Sequence, residues 1–76
     1  MARIRSMSGP SATVVTVAGR LGAGDMRRLE YACAPALTRA AANLTLDIRH
    51  VTELDKAAEA LLLRSAARGA RIRRIA

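Results

Sequence analysis

The chain has no phenylalanine and no tryptophan, and Tyr31 is its one aromatic residue. Any core must forgo the roughly 150–250 Å² that each buried ring supplies, and seventeen alanines take up much of the apolar content instead. Cys33 is the only cysteine, which excludes an intrachain disulfide and fits a reducing compartment. With His50 as the only histidine, one chain cannot assemble the four ligands of a zinc site. No segment approaches the ~20 apolar residues of a membrane span. The opening M-A-R-I-R-S-M-S-G-P also lacks the apolar run of a signal peptide, so the sequence is expected to be cytoplasmic, without membrane insertion.

Acidic residues are scarce too: six, against twelve arginines and one lysine, for a net charge of +7 and a pI near 11.5. Such a balance admits nucleic acid, anionic lipid or an acidic protein as partner and selects none of them. The skew towards Arg and Ala fits a GC-rich bacterial genome. Seventy-six residues make one small domain, which buries only about 60% of its unfolded surface. A hydrophobic content of 51% with clear periodicity excludes a disordered chain.

Residues 2–7, A-R-I-R-S-M, alternate, and S-G-P at 8–10 signals a turn. A-T-V-V-T-V-A (12–18) is rich in β-branched residues and predicts a strand. G-R-L-G-A-G (19–24) breaks that pattern. From Asp25 the period becomes helical, with Met26, Leu29, Cys33, Ala36, Leu37 and Ala40 on one face. Asp25 is the expected cap, and Pro35 predicts a kink or a helix in two pieces.

L-T-L-D-I (44–48) places Leu44, Leu46 and Ile48 on one side and Thr45 and Asp47 on the other, the pattern of a strand with one buried face. R-H-V-T-E-L reads as a loop, followed by a helix from about Asp55 to Arg68, with Gly69 at its C-terminal stop. A-R-I-R-R-I-A (70–76) predicts a last short strand. The order β-β-α-β-α-β implies right-handed crossovers and a mostly parallel sheet with helices on one face. The other face then carries Arg3, Arg5, Asp47, Arg71 and Arg73. We expect one domain over 1–76, with 1–11 as N-terminal strand and turn and 12–76 as core.

V-V-T-V-A-G-R-L-G before a helix, then L-T-L-D-I-R-H-V-T-E-L-D-K-A-A, resembles the STAS domain of anti-sigma factor antagonists. The resemblance runs from about Ala12 to Ile75 and implies an α/β STAS-like fold. Where that family has G-x-L-D, this chain has Gly19-Arg20-Leu21-Gly22. Where it has D-S-S-G, this chain has Asp55-Lys56-Ala57-Ala58. The family's phosphoserine matches Ala57, so the usual phosphorylation switch is expected to be lost. The family's terminal helix has no counterpart after the last strand. By resemblance, the chain is a non-enzymatic, regulatory protein-interaction module. Its partners would be an anti-sigma-type kinase, a larger signalling assembly or a transporter ATPase. The expected partner surface is Glu53, Asp55, Lys56, Ala57, Ala58 and Glu59 with the turn from Gly22 to Asp25.

Lys56 stands at a helix N-terminus, where the dipole mildly disfavours a cation; it reads either as a tolerated surface charge or as a contact to an acidic partner. G-R-L-G-A-G sits where a phosphate meets free N–H groups, but its spacing matches neither the dinucleotide fingerprint nor the phosphate-binding loop. No cofactor is expected. Asp47, Asp55 and His50 lack an adjacent nucleophile, so no catalytic set is read. The basic 64–74 segment reads as a solvated, edge-protecting face, with contact to an acidic protein partner as the second reading; a small nucleic-acid-binding protein, without aromatic stacking platforms, is the alternative. A self-assembling domain is the third reading.

A thin stability margin and an uncovered apolar strip together predict self-association. Light scattering should show a dimer or larger species at micromolar concentration, and a clean monomer across that range counts against it.

Overall fold

The computed structural model describes residues 2–75, the side chain of Ala41 excepted. Met1 and Ala76, which the single-domain and last-strand readings include, lie outside the described residues. The elements are β1 (Arg3–Ser8), β2 (Thr13–Leu21), α1 (Met26–Ala40), β3 (Leu44–Leu54), α2 (Lys56–Ala67) and β4 (Arg71–Arg73). Single 3-10 turns, Ala23–Asp25 and Ala41–Asn43, flank α1. The sheet order is β1-β2-β3-β4. β1 runs antiparallel to β2, and β2, β3 and β4 run parallel. The α/β class and the element order are those anticipated from the sequence.

Register explains which face is buried. Val15 lies opposite Leu46, which lies opposite Ile72, and Val17 lies opposite Ile4. These side chains join Leu21, Leu29, Cys33, Ala36, Ala58, Leu61 and Leu62 in one core. Both helices therefore cover the same side of the sheet. The largest fully buried side chains are Leu21, Leu29, Leu44, Leu46, Val15 and Val17. The opposite face carries the rows Met7–Val14–Thr45–Arg71 and Arg5–Thr16–Asp47–Arg73, with Arg3 beside Ala18. The expected parity of the arginines holds.

Five details of these elements differ from expectation. β2 continues through Gly19-Arg20-Leu21, and β3 continues through the segment read as a loop, to Leu54. The two strands stay paired by shifting register at Thr16/Ala18 and Gly19/Arg20. Gly19 takes φ +89° at the second shift, a conformation only glycine adopts without strain. Burial rewards the extension, since Ile48 and Val51 pack against the core. α1 is one continuous helix despite Pro35; Pro35 and Tyr31 are both exposed, so water can take the carbonyl that the missing N–H leaves free. Ala40, expected on the buried face, is exposed beside the β1–β2 turn. The last strand is shorter than its sequence pattern, ending at Arg73.

α2 matches its expected limits. Asp55 caps it, and Gly69 follows with φ +109°, where its N–H reaches the Ala66 carbonyl at 3.0 Å.

Leu46 is fully buried at the centre of the sheet, facing both Val15 and Ile72. Leu46→Ala should cost about 2–5 kcal/mol, a large part of the roughly 4–11 kcal/mol available to a chain of this length. Urea denaturation followed by circular dichroism should show a sharply lowered midpoint or an unfolded chain.

Candidate functional site at the start of α2

The C-terminal ends of β2 and β3 lie side by side, with Leu21 opposite Leu54, so the turn after β2 meets the start of α2. The Asp55 carboxylate joins the two. Oδ1 accepts from the Ala58 N–H at 2.9 Å, capping the helix. Oδ2 accepts from the Ala23 N–H at 2.8 Å, holding the turn. The Asp55 N–H completes the link by donating to the Leu21 carbonyl at 3.2 Å. Gly22 is needed here for space: a Cβ at that position would sit 3.1 Å from Asp55 Oδ2. Its backbone is extended, so positive φ plays no part.

Asp25 does not cap α1 as expected. It is the third residue of the 3-10 turn, and its carboxylate reaches back rather than forward. Oδ2 accepts from the Gly22 N–H at 3.1 Å. Oδ1 accepts from the Ala2 N–H at 3.3 Å and the Arg28 guanidinium at 2.6 Å. The Arg28 group also donates to the Ala2 carbonyl at 3.0 Å. Asp25 thus fastens the chain's beginning to the turn. The bond from Gly22, then that from Arg28, hold its carboxyl below the usual range, against the opposing effect of burial.

The residues of the expected partner surface fall into two groups. Glu53, Asp55, Lys56, Ala57 and Glu59 are exposed, while Asp25 and Ala58 are buried. Ala58 is fully enclosed in the core, which turns its neighbour Ala57 outward. Gly22 is half-buried. Glu53 pairs with Arg20 across the strands at 3.3 Å, both well exposed. A shallow hollow of about 260 Å³ lies between the two segments, lined by Arg20, Leu21, Gly22, Glu53, Leu54 and Asp55. The structure therefore brings the two sequence segments together as one surface, with Asp25 and Ala58 supporting it from beneath.

The turn offers little to an anion. The N–H groups of Gly22 and Ala23 already serve Asp25 and Asp55, and those of Asp25 and Met26 bond to carbonyls of the turn itself. Cys33 is buried, and burial pushes its thiol up to about 11, so it stays protonated. No group of three potential metal ligands occurs among the described residues.

Sequence reasoning missed one polar cluster. Asp47 is 4% exposed, although it lies on the helix-free face. Arg49 covers it: its Nε and Nη2 donate to the two carboxylate oxygens at 3.0 and 2.9 Å, and its N–H donates at 3.1 Å. The Arg49 bond is the main cause of a lowered Asp47 pKa, and Arg73 adds a weaker attraction. The D-x-R spacing was its only signal.

A mixed four-stranded sheet, with two helices on one face and a turn joined to the second helix, is the architecture of a STAS-type regulatory domain. The family model described as "Mlab, STAS domain" matches residues 4–75, and the chain belongs to that family. STAS domains are generally regulatory protein-interaction modules without chemistry of their own. No curated protein matches the chain. Among the described residues, no helix is long and apolar enough to cross a membrane.

Asp25 and Asp47 both have lowered pKa values in the folded chain and return to about 3.9 on unfolding. Above that value both are ionised in either state, and their stabilisation is present in full. As the pH falls through their folded values, protons bind and the stabilisation is lost. The urea midpoint should therefore hold steady from neutral pH to about 5 and fall below about 4. Asp25→Asn and Asp47→Asn should each start from a lower midpoint and show a shallower acid decline.

Proposed function

We propose that the chain is a protein-docking module that binds its partner through the Gly22–Asp25 turn and the Glu53–Glu59 segment, without the serine switch of anti-sigma factor antagonists. The observation that carries this reading is the outward position of Ala57 in the first turn of α2, directly beside the buried Ala58. By resemblance, that is the position of the family's phosphoserine. A phosphate there would add about two negative charges at a contact surface; an alanine leaves that surface permanently in one state. The hollow between the two segments holds about 260 Å³, short of the roughly 300–1,000 Å³ of typical ligand pockets, which favours surface contact as the mode of binding there.

The partner class is an anti-sigma-type kinase, a larger signalling assembly or a transporter ATPase, and the setting is the bacterial cytoplasm. Lys56 and Glu59 supply charges of opposite sign on the same helix start, so charge pattern as well as shape sets partner choice. Self-association is a second use of exposed apolar positions such as Leu63 and Leu54. The basic sheet face would serve the nucleic-acid alternative.

Ala57→Glu should leave stability nearly unchanged, since an acid in the first turn suits the helix dipole. Partner binding should fall more than tenfold, about 1.4 kcal/mol or more. Lys56→Glu should weaken binding to an acidic partner, more at low salt than at high. Arg71→Glu and Arg73→Glu serve as far-face controls. Calorimetry with a partner from the gene neighbourhood reads these effects. Normal binding by Ala57→Glu, with loss in the arginine variants, would place the interface on the other face of the sheet.

A further inference from the structure

The sheet face turned away from α1 and α2 has no helix over it among the described residues. All-parallel sheets ordinarily have both faces covered, and three of the four strands here run parallel. On this face the two edge strands carry exposed arginines: Arg3 and Arg5 on β1, Arg71 and Arg73 on β4. Between them the floor is made of short side chains, Val14, Thr16, Ala18 and Thr45, all half-buried. At its middle, Arg49 lies bound across Asp47.

The spacing defines what fits. Three strand-to-strand steps put the two arginine rails about 14 Å apart. An α-helix with its side chains is about 10–12 Å wide. Along each rail, arginines two residues apart are separated by ~6.7 Å. Acids at positions i and i+4 of a helix are separated by ~6 Å along its axis. We propose that this face docks an acidic amphipathic helix of a protein partner, its small apolar ridge on the floor and its acidic flanks on the two rails. Such a helix would supply the missing layer.

The floor argues against nucleic acid. Its centre, the Asp47–Arg49 pair, is neutral and offers no free cation to a phosphate, and no aromatic ring is present on this face for a base to stack on. It argues against a lipid surface as well, because along the paired rows of β1–β4 on this face Met7 is the one large apolar side chain that is exposed.

The test uses the full chain and an 18-residue probe peptide with an Ala/Leu ridge flanked on both sides by glutamates at i, i+4 spacing. A lysine-flanked version, a mixed-sequence DNA oligonucleotide, single- and double-stranded, and vesicles containing anionic phospholipid are compared. Calorimetry should show saturable one-to-one binding of the acidic peptide alone, with amide NMR shifts along the open-face rows of β1–β4. The double variant Arg5→Glu/Arg73→Glu should weaken it more than tenfold while keeping a native urea midpoint, since both side chains are exposed. Ala57→Glu should bind the peptide normally, which separates this surface from the one at the start of α2. The proposal is overturned if the acidic peptide fails to bind, or binds regardless of the rail arginines. It is equally overturned if the oligonucleotide or the vesicles bind instead and lose that binding in the double variant.

Discussion

With no ring to fill space, the interior rests on six fully buried Leu and Val side chains, each contributing about 1.5–3 kcal/mol by leaving water. Aliphatic groups of this size fill a core only if helices and sheet approach closely, and alanines at the contacts allow it. Ala36 on α1 and Ala58 on α2 both lie in the core. The packing of Ala58 in turn sets the rotation of α2, so the outward direction of Ala57 is a consequence of how the core closes. The candidate docking surface is therefore as rigid as the packing beneath it, and Asp55 extends that rigidity to the turn after β2.

Charge is distributed unevenly over this frame. Asp55 and Asp25 are occupied with backbone N–H groups around the turn, and Glu53 lies beside them. Most arginines of the sheet lie on its uncovered face, where Asp47 and Arg49 form a neutral centre between two basic edges. An isolated Asp under that many arginines is not left exposed; the Arg49 fork covers it and satisfies both its oxygens. The molecule thus has two faces of different character: a compact end of mixed charge and small side chains, and a broad arginine face.

Much of this was readable from the sequence because the signals are local. Alternation at 44–48 gave the buried face of β3, the start at Asp55 and the Gly69 stop gave α2, and strand parity put the arginines together. What escaped is non-local. The second half of β3 is extended because β2 lies beside it, and the two register shifts that permit this depend on both strands at once. Asp25 looked like a helix cap because its near neighbours said so; its actual partners include the Ala2 N–H at the other end of the first hairpin. The bond from Ala23 to Asp55 likewise joins residues that sequence spacing does not connect. The family resemblance supplied the pairing of those two segments, but not the carboxylate that joins them.

The parallel β2–β3 ladder also shapes how the chain reaches its native state. β1 and β2 are joined by a four-residue turn and can pair early, since a hairpin closes on the scale of ~1–10 μs. β2 and β3 pair across the whole of α1, since Thr13 meets Leu44. Closing so long a loop before its contacts form is the slow step of such topologies. A β1–β2 hairpin without β3 would leave one edge of β2 unpaired, with Val14, Val15 and Val17 along it. The arginines of β1 put charge beside that apolar run, which disfavours association between copies of the chain that have not yet folded.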